Sequence, residues 1–217
     1  MTSNFIQLAT HSIFAIIWCS SLYYDIHYLP RLMGEVWAKK LVMLTNINFI
    51  LFVGYSVISL FFVLTKWKFL RNVVDFYFYT SIFPVGMTTV ALFWGLYAIE
   101  PELVMPAWVA ALIPNWLNHV THTLPAVHLL IDLLSNHHTP PTRFTLKVMA
   151  FVLVAVYFKI IFYVRYYDGY WLYPVLELFH PIMHIFTYLG AVFGYFSLCC
   201  LATFVTRKIH GEKRKVG

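Results

Sequence analysis

The chain has 217 residues, of which 61% are hydrophobic, 19% aromatic and only 11% charged. A soluble domain carries about 25% charged residues, so this composition excludes an ordinary soluble protein and marks an integral membrane protein. The net charge of +6 comes from loops and a basic tail, where attraction to an anionic leaflet accounts for it; nucleic-acid binding has no support.

Six apolar stretches of roughly 20 residues have the length that crosses about 30 Å of hydrocarbon. They run over about 5–25, 41–65, 75–98, 109–134, 145–165 and 180–206. In lipid every backbone polar group must be satisfied internally, and these stretches are too long and continuous for barrel strands. An all-α fold follows: a polytopic bundle of six transmembrane helices forming a single domain over 1–217, with a short basic cytosolic tail at 207–217.

The first span lacks the charged n-region and small-residue cleavage site of a signal peptide, so it is expected to remain as an anchor. The second opens on Leu44-Thr45-Asn46-Ile47-Asn48, in which Thr45 and Asn48 are three apart and share a helical face. Pro84 in the third span and Pro125 in the fourth are expected to kink their helices. The fourth span also carries Asn115, Asn118, His119 and His122 at i, i+3, i+4 and i+7, one polar stripe on a single face. Polar and ionisable groups are costly in hydrocarbon, so such a stripe faces a bundle interior or wet cavity and is a functional-site candidate. Lys159 in the fifth span lies close enough to the outer end to snorkel, with a substrate carboxylate as its other possible partner. In the sixth, Gly190 and Gly194 make a G-x-x-x-G pair, read as a close helix contact. Cys19, Cys199 and Cys200 read as packing residues, since no spacing suggests a disulfide framework or a zinc knot.

Orientation follows from basic residues near the span ends. With both termini cytosolic, the inner side holds Lys66, Lys68, Arg71, Arg143, Lys147, Arg207, Lys208, Lys213, Arg214 and Lys215, and the outer side Arg31, Lys39, Lys40 and Arg165. The terminal Lys213-Arg214-Lys215-Val216-Gly217 is similar to a dibasic endoplasmic-reticulum retrieval address, which works only on a cytosolic tail. A multi-pass protein of the endoplasmic reticulum is therefore expected ahead of one in the plasma membrane.

A threonine hydroxyl becomes a nucleophile when a base takes its proton, and a neutral imidazole can do so. Thr45 as nucleophile and His122 as base fall in the same outer half of the bilayer. Attack on an ester builds an oxyanion, for which Asn48, Asn118 or His119 are donor candidates; Asn115, Asn118 and His119 are candidates for a water path. Two other classes stay open. His119 and His122 can be read as metal ligands completed by His128 and Asp132 or by His137 and His138, giving a metal-dependent membrane lipid enzyme. A non-catalytic transporter or regulator is the other, against which the lack of clear internal repeats counts. The G-x-S-x-G elbow of soluble lipases is missing.

Phe83-Pro84-Val85-Gly86, Phe93-Trp94, the WLNHxxHT core from Trp116 to Thr123, Ser135-Asn136-His137-His138 before Pro140 and Pro141, and Trp171-Leu172-Tyr173-Pro174 occur in that order. Over about residues 8–205 the chain resembles the androgen-induced transmembrane hydrolase family. The resemblance implies a multi-pass threonine hydrolase that cleaves fatty acid esters of hydroxy fatty acids, without metal or other cofactor. It also implies Thr45, preceded by Leu44, as nucleophile and His122, the second histidine of WLNHxxHT, as catalytic base. Two departures stand out: Thr121 takes the place of a Met, and Pro125 comes about two residues early. The implied lipid has its ester several carbons down both chains, where a membrane-buried nucleophile can reach it. Its free carboxylate has Lys39, Lys40, Arg165 and Lys159 as candidate partners.

Overall fold

A lone helix cannot shelter Asp, His or Asn side chains from lipid, so the polar positions of this chain dictate which helix faces turn inward. The computed structural model describes residues 2–30 and 36–211. Arg31 of the orientation count, and Lys213, Arg214, Lys215, Val216 and Gly217 of the retrieval signal, lie outside the described residues. Among those described there is no strand. Five helices are long and apolar enough to span a membrane: α1 (Thr2–His27), α2 (Leu44–Thr65), α3 (Lys68–Ile99), α6 (Arg143–Tyr167) and α7 (Pro181–His210).

The expected fourth span is different. Instead of one helix over 109–134 there is a single turn at Ala107–Ala110, then α4 (Asn115–His122), then α5 (Leu124–Ser135). Proline explains the break. Pro125 has no N–H for the carbonyl of Thr121, and its ring crowds that turn, so the helix stops at Thr123, which has φ −117. The third span also begins earlier than its hydropathy suggests, because the charged turn around Lys68, Arg71 and Asp75 is already helical. Inside α3 a π turn at Phe78–Ile82 precedes Pro84. The Thr80 carbonyl, which an unbroken helix would pair with residue 84, instead accepts from the Tyr195 hydroxyl at 2.6 Å.

Trp18, Phe49, Phe52, Tyr55, Phe78 and Ile82 are wholly or almost wholly buried along the bundle axis, while Phe5, Phe61, Phe151, Phe193 and Phe204 face outward. An apolar rim of this extent fits lipid and would not persist in water. Gly86, of the Phe83 to Gly86 motif, lets three helices meet: a methyl group there would stand 3.0 Å from the Phe52 ring and 3.1 Å from Leu129. Gly190 and Gly194 do not form the expected close contact; their faces look onto open space.

The end of the bundle away from α4 is closed by charge. Asp132 accepts from the Tyr55 hydroxyl, from the Asn136 amide and, at 3.0 Å, from His138 Nε2. The other ring nitrogen of His138 lies 2.9 Å from Asp75. Both nitrogens donate to carboxylates, so the ring is an imidazolium. Burial opposes that charge, but Asp132 and Asp75 outweigh it and hold His138, in the loop outside the helices, above the ordinary imidazole range. Asn136 also bonds His11 and receives Gln7, tying α1 to the cluster.

His138→Ala leaves two buried carboxylates without their cation and should cost roughly 3–5 kcal/mol of stability, read as a large fall in the detergent melting temperature, whereas His137→Ala should stay near wild type. Gly86→Val should cost about 1–3 kcal/mol by overpacking Phe52, measured the same way; an unchanged melting temperature would show that these helices can move apart.

Candidate functional site

Helix α2 starts at Leu44, placing Thr45 in its first turn, and α4 ends at His122, placing the imidazole beside the break before Pro125. The two ends meet. Thr45 Oγ1 lies 3.2 Å from His122 Nε2, although the residues are 77 apart in sequence. His122 is 8% exposed and its ring stacks on Phe93, with centroids 3.6 Å apart at 14°.

The contacts of Nδ1 decide which nitrogen carries the proton. Asn118 Oδ1 stands at 2.8 Å, the Asn118 carbonyl at 3.1 Å and Thr121 Oγ1 at 3.0 Å. The Thr121 hydroxyl donates to the carbonyls of Leu117 and Asn118, so its oxygen is left to accept. With acceptors gathered on that side, Nδ1 bears the hydrogen and Nε2 is the lone-pair nitrogen facing Thr45. Thr121 thus gives the imidazole an oxygen contact that a methionine could not supply as well.

The break itself is held from α3. Trp94 Nε1 donates to the His122 carbonyl at 2.9 Å, occupying a group that the broken helix leaves over. Phe93 and Trp94 therefore flank the histidine, one under the ring and one on its backbone. As sequence, Phe93-Trp94 was only an ordered landmark; two aromatics on a helix rich in them carry no signal of this role.

The remaining candidates divide. Asn48, one turn into α2, is 1% exposed, and neither its Oδ1 nor its Nδ2 has a partner. Asn115 is exposed and so is His119, whose Nδ1 lies 3.1 Å from Thr123 Oγ1; the predicted stripe splits, with Asn118 and His122 turned inward. Lys40 is paired with Asp25 at 3.0 Å, and Trp37 Nε1 donates to the same carboxylate at 2.5 Å. This clamp fixes the 3-10 turn Trp37–Val42 that leads into Thr45, with Lys39 exposed on the same turn. Arg165 lines an open groove with Phe162, Tyr166 and Gly169; it donates to the Gly169 carbonyl and lies over Trp171. Lys159 is exposed on α6.

The residues weighed as metal ligands are engaged elsewhere. His128 Nδ1 accepts from Trp18 Nε1 at 3.0 Å and its ring stacks on Phe14 at 3.7 Å. Asp132 and His138 belong to the charged cluster. Among the described residues no group of three His, Cys, Asp or Glu is arranged to hold a metal ion.

Known proteins include relatives of this chain. The androgen-induced gene 1 protein of Homo sapiens is 35% identical over 99 residues, which is 46% of this chain and 42% of that relative. The androgen-dependent TFPI-regulating protein is 29% identical over 117 residues in Mesocricetus auratus, covering 53% of this chain and 50% of the relative. In Homo sapiens it is 33% identical over 109 residues, covering 50% and 47%. The chain spans about half the length of the curated relatives it matches. No solved structure matches it. The family described as FAR-17a/AIG1-like protein matches residues 6–207, nearly the whole chain, and the chain belongs to that family.

Proposed function

We propose that this multi-pass membrane protein is a threonine hydrolase whose substrates are fatty acid esters of hydroxy fatty acids. The observation that carries the reading is the 3.2 Å contact between Thr45 Oγ1 and the unprotonated nitrogen of His122, whose other nitrogen is fixed on Asn118. Nucleophile, base and orienting acceptor then stand in the relation that activates a hydroxyl.

Thr45 Oγ attacks the ester carbonyl carbon while its proton passes to His122 Nε2. The tetrahedral intermediate collapses to an acyl-threonine, and the departing alkoxide of the hydroxy fatty acid takes that proton. Water then gives a proton to His122 and its oxygen to the acyl carbon; as the fatty acid leaves, His122 Nε2 returns that proton to the Thr45 oxygen, restoring both residues. Asn118 holds the imidazole in the required tautomer throughout, and Phe93 sets its plane. Asn48 is a candidate oxyanion donor, because a buried amide without a partner costs about 1–3 kcal/mol until something binds it. Exposed Asn115 and His119 suit the water path.

In this reading α4 and α5 complete a sixth crossing, the whole chain acts as one domain, and both termini face the cytosol. Residence in the endoplasmic reticulum then rests on the basic terminal residues. The substrate carboxylate pairs with Arg165, whose groove has aromatic walls for the adjoining chain, and with Lys39. Lys159 is near enough to assist, and Lys40 serves mainly through its ion pair with Asp25.

Purified wild type and variants in detergent, given a mid-chain branched fatty ester, test the reading. Thr45→Ala and His122→Ala should each lower kcat by roughly 10³-fold or more, with wild-type activity unchanged by a chelator. Asn118→Ala should lower it by roughly 10- to 100-fold, through loss of the tautomer. Full activity in Thr45→Ala would end the threonine mechanism, and loss of wild-type activity to the chelator would replace it with a metal centre. The carboxylate assignment has its own check: methyl esters of the same lipids should show a KM roughly tenfold higher, and equal KM values would remove Arg165 and Lys39 from recognition.

A further inference from the structure

The start of α2 has a feature that the threonine and histidine do not use. First-turn N–H groups of a helix have no partner within the helix. At α2 those of Asn46 and Ile47 turn back to the Met43 carbonyl, both at 3.1 Å. The Leu44 N–H donates to two tyrosine hydroxyls at once, Tyr157 at 3.0 Å and Tyr173 at 3.3 Å, and these lie 2.7 Å from each other. Tyr157 comes from α6 and Tyr173 from the segment after it. The apolar cluster of Ile161, Val164, Leu172 and Leu176, packed against Val42 and Met43, holds both over the residue that precedes Thr45.

Counting protons shows a surplus. Two phenols carry two hydroxyl hydrogens, and their mutual bond uses one. Leu44 offers only a donor, so the second hydrogen needs an acceptor from elsewhere. Burial raises the Tyr173 phenol above its ordinary value, so its proton stays on at neutral pH. First-turn N–H vectors point out of the helix toward its start, and among the described residues no backbone carbonyl accepts from the Thr45 N–H. A second observation lies on the face of α2 that carries Thr45: Asn48 is 1% exposed and neither its amide oxygen nor its amide nitrogen has a partner.

We propose that the Tyr157 and Tyr173 hydroxyl pair is a catalytic hydrogen-bond donor, giving its spare O–H to the ester carbonyl oxygen as Thr45 attacks. This rests on the threonine-hydrolase reading. The carbonyl oxygen gains negative charge when the threonine oxygen bonds to carbon, the phenol strengthens its hydrogen bond without giving up the proton, and the charge returns to the carbonyl when the alkoxide leaves. A donor aimed at developing charge acts on the transition state more than on the bound ester, so its loss lowers kcat and leaves KM alone.

The test compares Tyr157→Phe, Tyr173→Phe and the double variant with wild type and Thr45→Ala, and also replaces each tyrosine by fluorotyrosines of graded acidity, which keep size and shape. In the double variant kcat should fall roughly 10²- to 10³-fold with KM unchanged, and in the fluorinated proteins log kcat should vary monotonically with phenol acidity. A double variant within about threefold of wild type, or a flat fluorotyrosine series, overturns the donor role while an inactive Thr45→Ala still upholds the hydrolase. If the double variant does not fold, the fluorotyrosine series decides alone, since a purely structural tyrosine would not transmit its acidity to kcat. Full activity in Thr45→Ala would instead remove the underlying reading, and the donor role with it.

Discussion

Backbone groups in hydrocarbon have no water to turn to, so every interruption of a membrane helix must be answered by another part of the protein. At two helix breaks and one helix start among the described residues, a side chain from another part of the chain takes the freed backbone group. Tyr195 takes the Thr80 carbonyl above Pro84. Trp94 takes the His122 carbonyl at the break before Pro125. The phenols of Tyr157 and Tyr173 take the Leu44 N–H where α2 begins. The last two repairs bracket the candidate site, so the backbone that carries Thr45 and the backbone that carries His122 are each fixed by partners outside their own helix. Reach between two side chains so far apart in sequence depends on those anchors.

The two ends of the bundle use different physics. At the site end the polar contacts are mostly neutral: imidazole, amide, hydroxyl and phenol, with acceptors gathered around Nδ1 of His122. At the other end two carboxylates share a histidine, supported by a tyrosine and two amide side chains. A charged cluster of this kind stabilises only while complete, because removing one member strands the others in a medium that cannot solvate them. Neutral groups can exchange partners at lower cost, which suits the proposed hydrolysis, in which a substrate oxygen enters and leaves.

Much of the frame was legible in the sequence. Hydropathy located five helices to within a few residues, except where the charged first turns of α3 hid its start. The polar stripe and the LTNIN segment marked His122 and Thr45, and proline chemistry located the break. What stayed hidden depends on approach between distant segments. Nothing in the spacing of Asn118 and Thr121 says that both face one ring nitrogen, since a Thr bonds back to its own helix, as Thr121 also does, whether or not its oxygen meets a neighbour. Nor does the pattern separate the inward pair Asn118 and His122 from the exposed Asn115 and His119, because an eight-residue helix displays its polar face to two environments. His128 shows the opposite case: its chemistry suggested a ligand, but Trp18 and Phe14 make it part of the packing.

The ring of contacts around Asp132 joins α1, α2, α3 and α5 at one end, and Tyr79, which donates to Thr206 at 2.9 Å, brings in α7. Mechanically, the bundle is clamped there. Helices joined at one end can part only by tilting about that joint, and displacement then grows with distance from it. Tyr55 stands ten residues after Thr45 on α2, about 15 Å along the helix, so a tilt about that joint moves the Thr45 end more than the helix beside the cluster. If the proposed hydrolase reading holds, an acyl chain that enters from the bilayer needs only such a tilt, and the charged cluster stays whole.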